Sequence, residues 1–123
     1  MYVSAKRKTA ARYTEKLQKL SGVVPMKNAP WAESTYWMYT ILVEEERFGM
    51  DSRSLMRTLS SRNIQCRPLW QPIHHSGAYI SQSVVTMPVA EQLNQRGLSL
   101  PCSVGLTESE QDRVIDVLVE LRN

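Results

Sequence analysis

Apolar residues at Ala10, Tyr13, Leu17 and Leu20 recur in steps of three and four, which draws one stripe along a helix. Lys6, Arg12, Lys16 and Lys19 fall largely off that stripe. Gly22 and Pro25 end the helix, and "VVPMKNAP" (residues 23–30) reads as a connector. A single apolar stripe on an otherwise charged helix needs a cover, and the expectation is that this cover lies outside the chain.

The pattern then changes period. "STYWMYTILV" (34–43) is aromatic and β-branched at nearly every position, so it predicts a strand covered on both faces. "EEERFGM" follows as a polar exit. Asp51 or Ser52 is an N-cap for a helix to about Arg62, with Leu55, Met56 and Leu59 inward. Asn63 suits the left-handed position that closes a helix. "IQCRPLW" (64–70) predicts a second strand, and Pro68 places it at an edge or gives it an irregular end. A polar loop, "ISQSVVT" (80–86), leads to a short helix, "MPVAEQLNQRG", closed by Gly97, and then to a third strand, "LSLPCSV". In "TESE" (107–110), Thr107 caps and Glu110 reaches back, opening a helix with Val114, Ile115, Leu118 and Leu121 inward. The order α-β-α-β-α-β-α predicts an α/β (α+β) domain: a small three-stranded sheet packed by about four helices.

Length and composition agree. A chain of 123 residues fits one domain, and 42% hydrophobic with 22% charged residues is ordinary for a globular protein. No apolar run approaches the roughly 18 residues of a membrane span, and the start lacks the apolar core of a secretory signal. Two cysteines, Cys66 and Cys102, do not make a disulfide scaffold; reduced thiols in a cytoplasmic protein are expected. The net charge of +3 hides an asymmetry, because residues 1–28 hold seven Lys or Arg against Glu15 alone. The remainder holds eight basic and eleven acidic residues. A basic arm on a mildly acidic body can meet nucleic acid, phosphate or an acidic partner, or be a solvated helix face. No nucleic-acid motif or aromatic interleaving accompanies it.

The candidate chemistry is concentrated in "CRPLWQPIHHSGAY" (66–79), which contains both histidines. His74 and His75 are adjacent, so on a regular backbone they point apart, and no recognised metal-ligand spacing is present. Cys66 and Cys102 read as small strand hydrophobes rather than nucleophiles. The glycines are scattered, with no phosphate loop, and Glu44, Glu45 and Glu46 read as a solvated run. No catalytic residue is assigned. What remains is a wall of Arg67, Trp70, His74 and Tyr79 where a strand enters a proline-stiffened loop. Trp70 can stack on a ring, His74 can exchange hydrogen bonds, and Arg67 can pair with phosphate or carboxylate. The plainer alternative has Trp70 in the core, His74 on a backbone carbonyl and Arg67 in solvent.

These segments together resemble the C-terminal portion of the pyridoxal-phosphate sugar aminotransferases of the DegT/StrS group. The resemblance runs through "KRKTAARYTEKL", "YWMYTILV", "SRSLMRTLSSRNI", "RPLWQPIHH" and "AEQLNQRGLSLPCSVGLTESEQDRVIDVL", in that order. "RPLW" is most similar to the branch acting on UDP-linked 4-keto-6-deoxy sugars. Gln71, where Lys is common, and "HSG" at 75–77 depart from that branch.

The resemblance implies the small domain of fold-type I aminotransferases. Residues 1–28 would be an interdomain helix and connector, and 29–123 the small C-terminal domain. It implies that Trp70 and His74 lie at the mouth of the sugar-nucleotide site, with Arg67 matching by position. It also implies a missing large domain, which supplies the lysine holding pyridoxal phosphate and the aspartate facing its pyridine nitrogen. The five lysines here (Lys6, Lys8, Lys16, Lys19 and Lys27) have no such context. The chain alone is therefore expected to bind no cofactor and to be inactive, as part of a cytoplasmic homo-oligomer that aminates a nucleotide-linked keto sugar. The competing expectation is a noncatalytic basic module for nucleic acid or an acidic protein on the same fold.

Overall fold

The computed structural model describes residues 1–79 and 86–122. The polar loop read at 80–86 falls almost wholly outside the described residues. Helix α1 spans Tyr2–Leu17, and its predicted stripe is real: Ala10, Tyr13 and Leu17 are buried. Its cover, however, lies within the chain, which corrects the expectation of an external one. Tyr13 stacks on Tyr39 with ring centroids 5.0 Å apart and donates its hydroxyl to the Pro101 carbonyl at 2.9 Å. The Tyr39 hydroxyl shares a 2.8 Å hydrogen bond with the Thr14 side chain. Each tyrosine thus buries its ring while its polar tip stays satisfied, the arrangement that makes a buried tyrosine stabilising.

The sheet has four antiparallel strands in the order β1-β2-β4-β3, one more than predicted. The extra strand is β1 (Val23–Pro25), inside the segment read as a connector, where Val23 lies opposite Val43. Three residues are too few to carry a periodic signal, and the pairing partner is distant in sequence. Strand β2 (Tyr39–Val43) is central, with buried Tyr39, Ile41 and Val43 on one face and Thr40 on the other. It starts later than expected: Tyr36 has φ 48°, and the chain bends at residues 37 and 38 before the strand begins. Strand β3 is only Arg67–Pro68 and lies at the sheet edge, as the proline demands. Strand β4 (Gly97–Leu100) is fully buried and pairs with both β2 and β3. Thr40 and Ser99, opposite each other, satisfy their buried hydroxyls through a 2.8 Å bond.

A four-residue helix, α2 (Glu45–Phe48), occupies the predicted polar exit and buries Phe48. Helix α3 (Ser52–Ser61) starts at Asp51, whose carboxylate accepts from the Arg53 and Ser54 amides. It is followed by Asn63 at φ 59°, as its sequence suggested. A 3-10 turn spans Ile73–His75, and α4 spans Pro88–Arg96. Gly97 does not close α4 in a left-handed conformation; its φ is −74°, and β4 begins there at once. Helix α5 (Glu108–Arg122) opens on the predicted reciprocal cap: the Thr107 amide donates to the Glu110 carboxylate at 2.8 Å, and the Glu110 amide donates back to the Thr107 hydroxyl at 3.2 Å. Val114, Ile115 and Leu118 face the core, and Leu121 packs partly against it.

Four of the seven basic residues of the arm are engaged by the rest of the fold, three of them in ion pairs. Lys6 donates to the carbonyls of Trp37 (2.9 Å) and Cys102 (2.6 Å), and Arg7 reaches Glu33 at 3.1 Å. Lys8 pairs with Glu108 at 2.9 Å, and Arg12 with Asp112. Among the described residues, no helix is long and apolar enough to cross a membrane.

Candidate functional site

The sheet delivers two tryptophans to one surface. Trp37 arrives just ahead of β2, and Trp70 sits two residues after β3. Their rings meet edge to face with centroids 6.3 Å apart. Both remain in solvent, with Trp37 68% and Trp70 77% exposed, so Trp70 does not pack the core. On one side of the pair lies a cleft of about 350 Å³, lined by Arg67, Gln65, Ser99 and Cys102. On the other lies an apolar recess of about 400 Å³ walled by Met38, Leu69, Pro72 and Leu93. The surface therefore offers flat aromatic faces, one guanidinium and adjoining apolar shelves, which suits a ligand with a ring and an anionic group.

The loop bearing Trp70 is held from behind. The Asn94 side-chain amide on α4 donates to the carbonyls of Leu69 (2.8 Å) and Trp70 (3.0 Å). Asn94 is fixed in turn by Arg53 of α3, which donates to its backbone carbonyl at 3.0 Å. Gly97 allows the loop to approach: a Cβ there would lie 2.2 Å from Leu69 Cδ1 and 2.7 Å from the Leu93 carbonyl.

The four-residue wall read from the sequence is thus only half assembled. Arg67 and Trp70 share the cleft, whereas His74 and Tyr79 are not among its lining residues. Tyr79 is exposed at the far end of the loop. His74 turns toward α4, its side chain 11% exposed and its Nε2 2.9 Å from a Glu91 oxygen. His75 Nε2 approaches the same oxygen at 3.6 Å, and the two imidazoles lie 4.3 Å apart. The expectation that adjacent histidines point apart fails because the 3-10 turn, unlike a strand, directs both rings to one side. The bond from His74 holds the Glu91 carboxyl below the usual carboxylate range.

Cys66 packs partly buried against the core, as a small hydrophobe, but it lies just outside β3 rather than in a strand. Burial pushes its thiol up to about 12, which removes it as a nucleophile near neutrality. Trp37 and Asn94 were missed. Trp37 is in phase with Tyr39 and Ile41, so a period-two reading places it in the core, but the chain bends at Trp37 and Met38, ahead of the strand, and the indole is exposed. Asn94 gave no local signal, since its partners lie some 25 residues away.

A four-stranded antiparallel sheet backed by helices defines an α/β lobe with an exposed aromatic cleft. The chain belongs to the DegT/DnrJ/EryC1/StrS aminotransferase family, which it matches over residues 1–119. It is 33% identical over 123 residues to EpsN of Bacillus subtilis, assigned as a pyridoxal phosphate-dependent aminotransferase, covering 97% of this chain and 31% of that protein. It is 29% identical over 120 residues to the GDP-perosamine synthase of Caulobacter vibrioides, covering 95% of this chain and 32% of the synthase. The fold superposes with a TM-score of 0.90 on DesI, a crystal structure determined in the presence of its TDP-sugar product. That match is 23% identical and covers 98% of this chain and 31% of DesI. The chain therefore spans about a third of the length of the relatives it matches.

The residues of this chain do not fit a pyridoxal phosphate cradle. The Lys6 ammonium is committed to two carbonyls, Lys8 is paired with Glu108, and Lys16, Lys19 and Lys27 are exposed. None is an enclosed amine facing an acid that could sit on a pyridine nitrogen, so no chemical step through the cofactor is assigned to this chain.

Proposed function

We propose that residues 29–123 act as the small domain of a pyridoxal phosphate-dependent aminotransferase that aminates a nucleotide-linked keto sugar, with residues 1–28 as the linking helix and connector. The observation carrying this reading is the solvent-facing Trp37–Trp70 pair beside Arg67. Two large aromatic faces held in water are costly unless something covers them, and adjoining apolar shelves enlarge the patch. The faces suit a nucleobase or the CH face of a sugar, and the Arg67 guanidinium suits a diphosphate. Relatives named for a GDP-sugar product and a TDP-sugar product support a nucleotide-linked substrate. The "RPLW" segment favours a UDP-linked 4-keto-6-deoxy sugar.

His74 has a second role in this reading. Its bond to Glu91 ties the loop after Trp70 to α4, so it positions the wall and borders the ligand. The cofactor lysine comes from a large domain, and this chain alone turns over nothing.

The test combines a titration and an assay. The indole N–H resonances of Trp37 and Trp70 should shift on addition of a UDP-linked sugar, and Trp70→Ala should abolish the shift at Trp37. The same chain with pyridoxal phosphate, glutamate and keto sugar should release no amino sugar. Unperturbed indoles, or turnover by this chain unaided, would overturn the proposal.

A further inference from the structure

The cluster behind the tryptophan cleft has a geometry that a simple loop fastening does not require. Two imidazoles and a carboxylate are gathered together, and one ligating atom from each of His74, His75 and Glu91 lies within 4.8 Å of the others. We propose that these three side chains form a chelating site for a divalent cation of the zinc class. Tetrahedral zinc with bonds of about 2.0–2.2 Å sets its ligand atoms roughly 3.3–3.6 Å apart. The observed separations from the Glu91 oxygen, 2.9 Å for His74 and 3.6 Å for His75, bracket that range. Binding the ion replaces the hydrogen bond between His74 Nε2 and Glu91 and releases the proton it holds.

The ligands are carried on hydrogen-bonded turns of backbone. The 3-10 turn is closed by bonds from the His75 amide to the Pro72 carbonyl (2.9 Å) and from the Ser76 amide to the Ile73 carbonyl (3.0 Å). Glu91 lies in the first turn of α4, its amide bonded to the Met87 carbonyl at 3.0 Å. The His74 side chain is largely covered, while that of His75 is half exposed. Three protein ligands, the number gathered here among the described residues, is the pattern of zinc sites that complete their shell with a further ligand. A set of two nitrogens and one oxygen favours zinc, nickel or copper over magnesium or calcium. The Glu91 carboxylate supplies anionic charge that offsets the ion. Nothing in this site depends on the aminotransferase reading, because it needs only these three residues.

The experiment is a titration of the tag-free, chelator-stripped 123-residue chain with zinc chloride by calorimetry, and with cobalt(II) by visible absorption. One equivalent should bind, with cobalt bands typical of a nitrogen–oxygen site. His75→Ala and Glu91→Gln should each weaken binding by about tenfold or more, and Cys66→Ser/Cys102→Ser should not. Far-UV circular dichroism of the metal-free variants identifies any that fail to fold. His75→Ala, at the most exposed of the three positions, keeps the test decisive if Glu91→Gln unfolds. No binding by the parent chain overturns the proposal, as does binding that survives His75→Ala and vanishes in the double cysteine variant.

Discussion

The Asn94 side-chain amide donates to the backbone carbonyls of both Leu69 and Trp70, at 2.8 and 3.0 Å. One amide on α4 therefore sets the path of the chain as it leaves the edge strand, and with it the pose of the exposed indole. Asn94→Ala removes two hydrogen bonds and should cost about 1–2 kcal/mol of stability. In a Trp31→Phe background it should also make the remaining tryptophans easier to quench with acrylamide. Unchanged quenching and an unchanged urea midpoint would show that Asn94 does not hold the loop.

The same approach depends on Gly97. Alanine there would force its Cβ against Leu69 and the Leu93 carbonyl, a backbone atom that cannot step aside. Gly97→Ala should therefore cost about 1–3 kcal/mol, the range for overpacking a filled interior. Gly105→Ala, with open space around its Cβ, should fold as the parent does. Adding Leu69→Ala should recover only part of the loss, because the contact with Leu93 persists. Equal midpoints for Gly97→Ala and Gly105→Ala in urea melts would remove the steric argument.

Much of the architecture was legible wherever the signal is local. Asp51 capping α3, the Thr107–Glu110 exchange and Asn63 at positive φ each involve partners within a few residues, so the sequence carries them directly. Pro68 marked an edge because a missing amide is a property of the residue itself. The site was less legible because its geometry is made by distant partners. Trp37 and Trp70 lie 33 positions apart, and Asn94 reaches back across 24 positions to the Trp70 carbonyl. Glu91, which gathers the two histidines, sits in a separate helix, so the sequence around His74 gave no sign of this partner.

Burial has a consequence in alkali. It raises the Cys66 thiol to about 12, and it raises Tyr13 and Tyr39 by the same desolvation. Unfolded, the thiol ionises near its ordinary value of about 8.5, so above that pH the unfolded chain releases a proton that the folded chain keeps. A group held protonated by folding stabilises fully below its unfolded pKa, and that contribution is lost as pH rises toward the folded value. Stability should be steady near neutrality and decline from about pH 8.5 upward. Urea melts across this range measure the slope, and Cys66→Ala should make it shallower, leaving the tyrosine share. A decline of equal slope in Cys66→Ala would exclude the thiol as a contributor.

Lys6 separates a structural arm from a binding one. Its ammonium bridges the Trp37 carbonyl ahead of β2 and the Cys102 carbonyl after β4, tying α1 to both central strands. Lys6→Met keeps most of the aliphatic stem but leaves both carbonyls without their charged donor. The loss should be about 1–3 kcal/mol, with Trp37 fluorescence shifted as its backbone is released. Lys16 and Lys19 are exposed, and methionine at either should change stability by no more than about 0.5 kcal/mol. If the arm instead served a polyanion, the ordering would reverse in a binding assay. Lys16→Met and Lys19→Met would then weaken salt-sensitive association with nucleic acid while leaving the melt intact. Thermal melts and low-salt binding on the same three variants distinguish the two, since a lysine whose ammonium donates to two carbonyls has few N–H groups left to offer a phosphate.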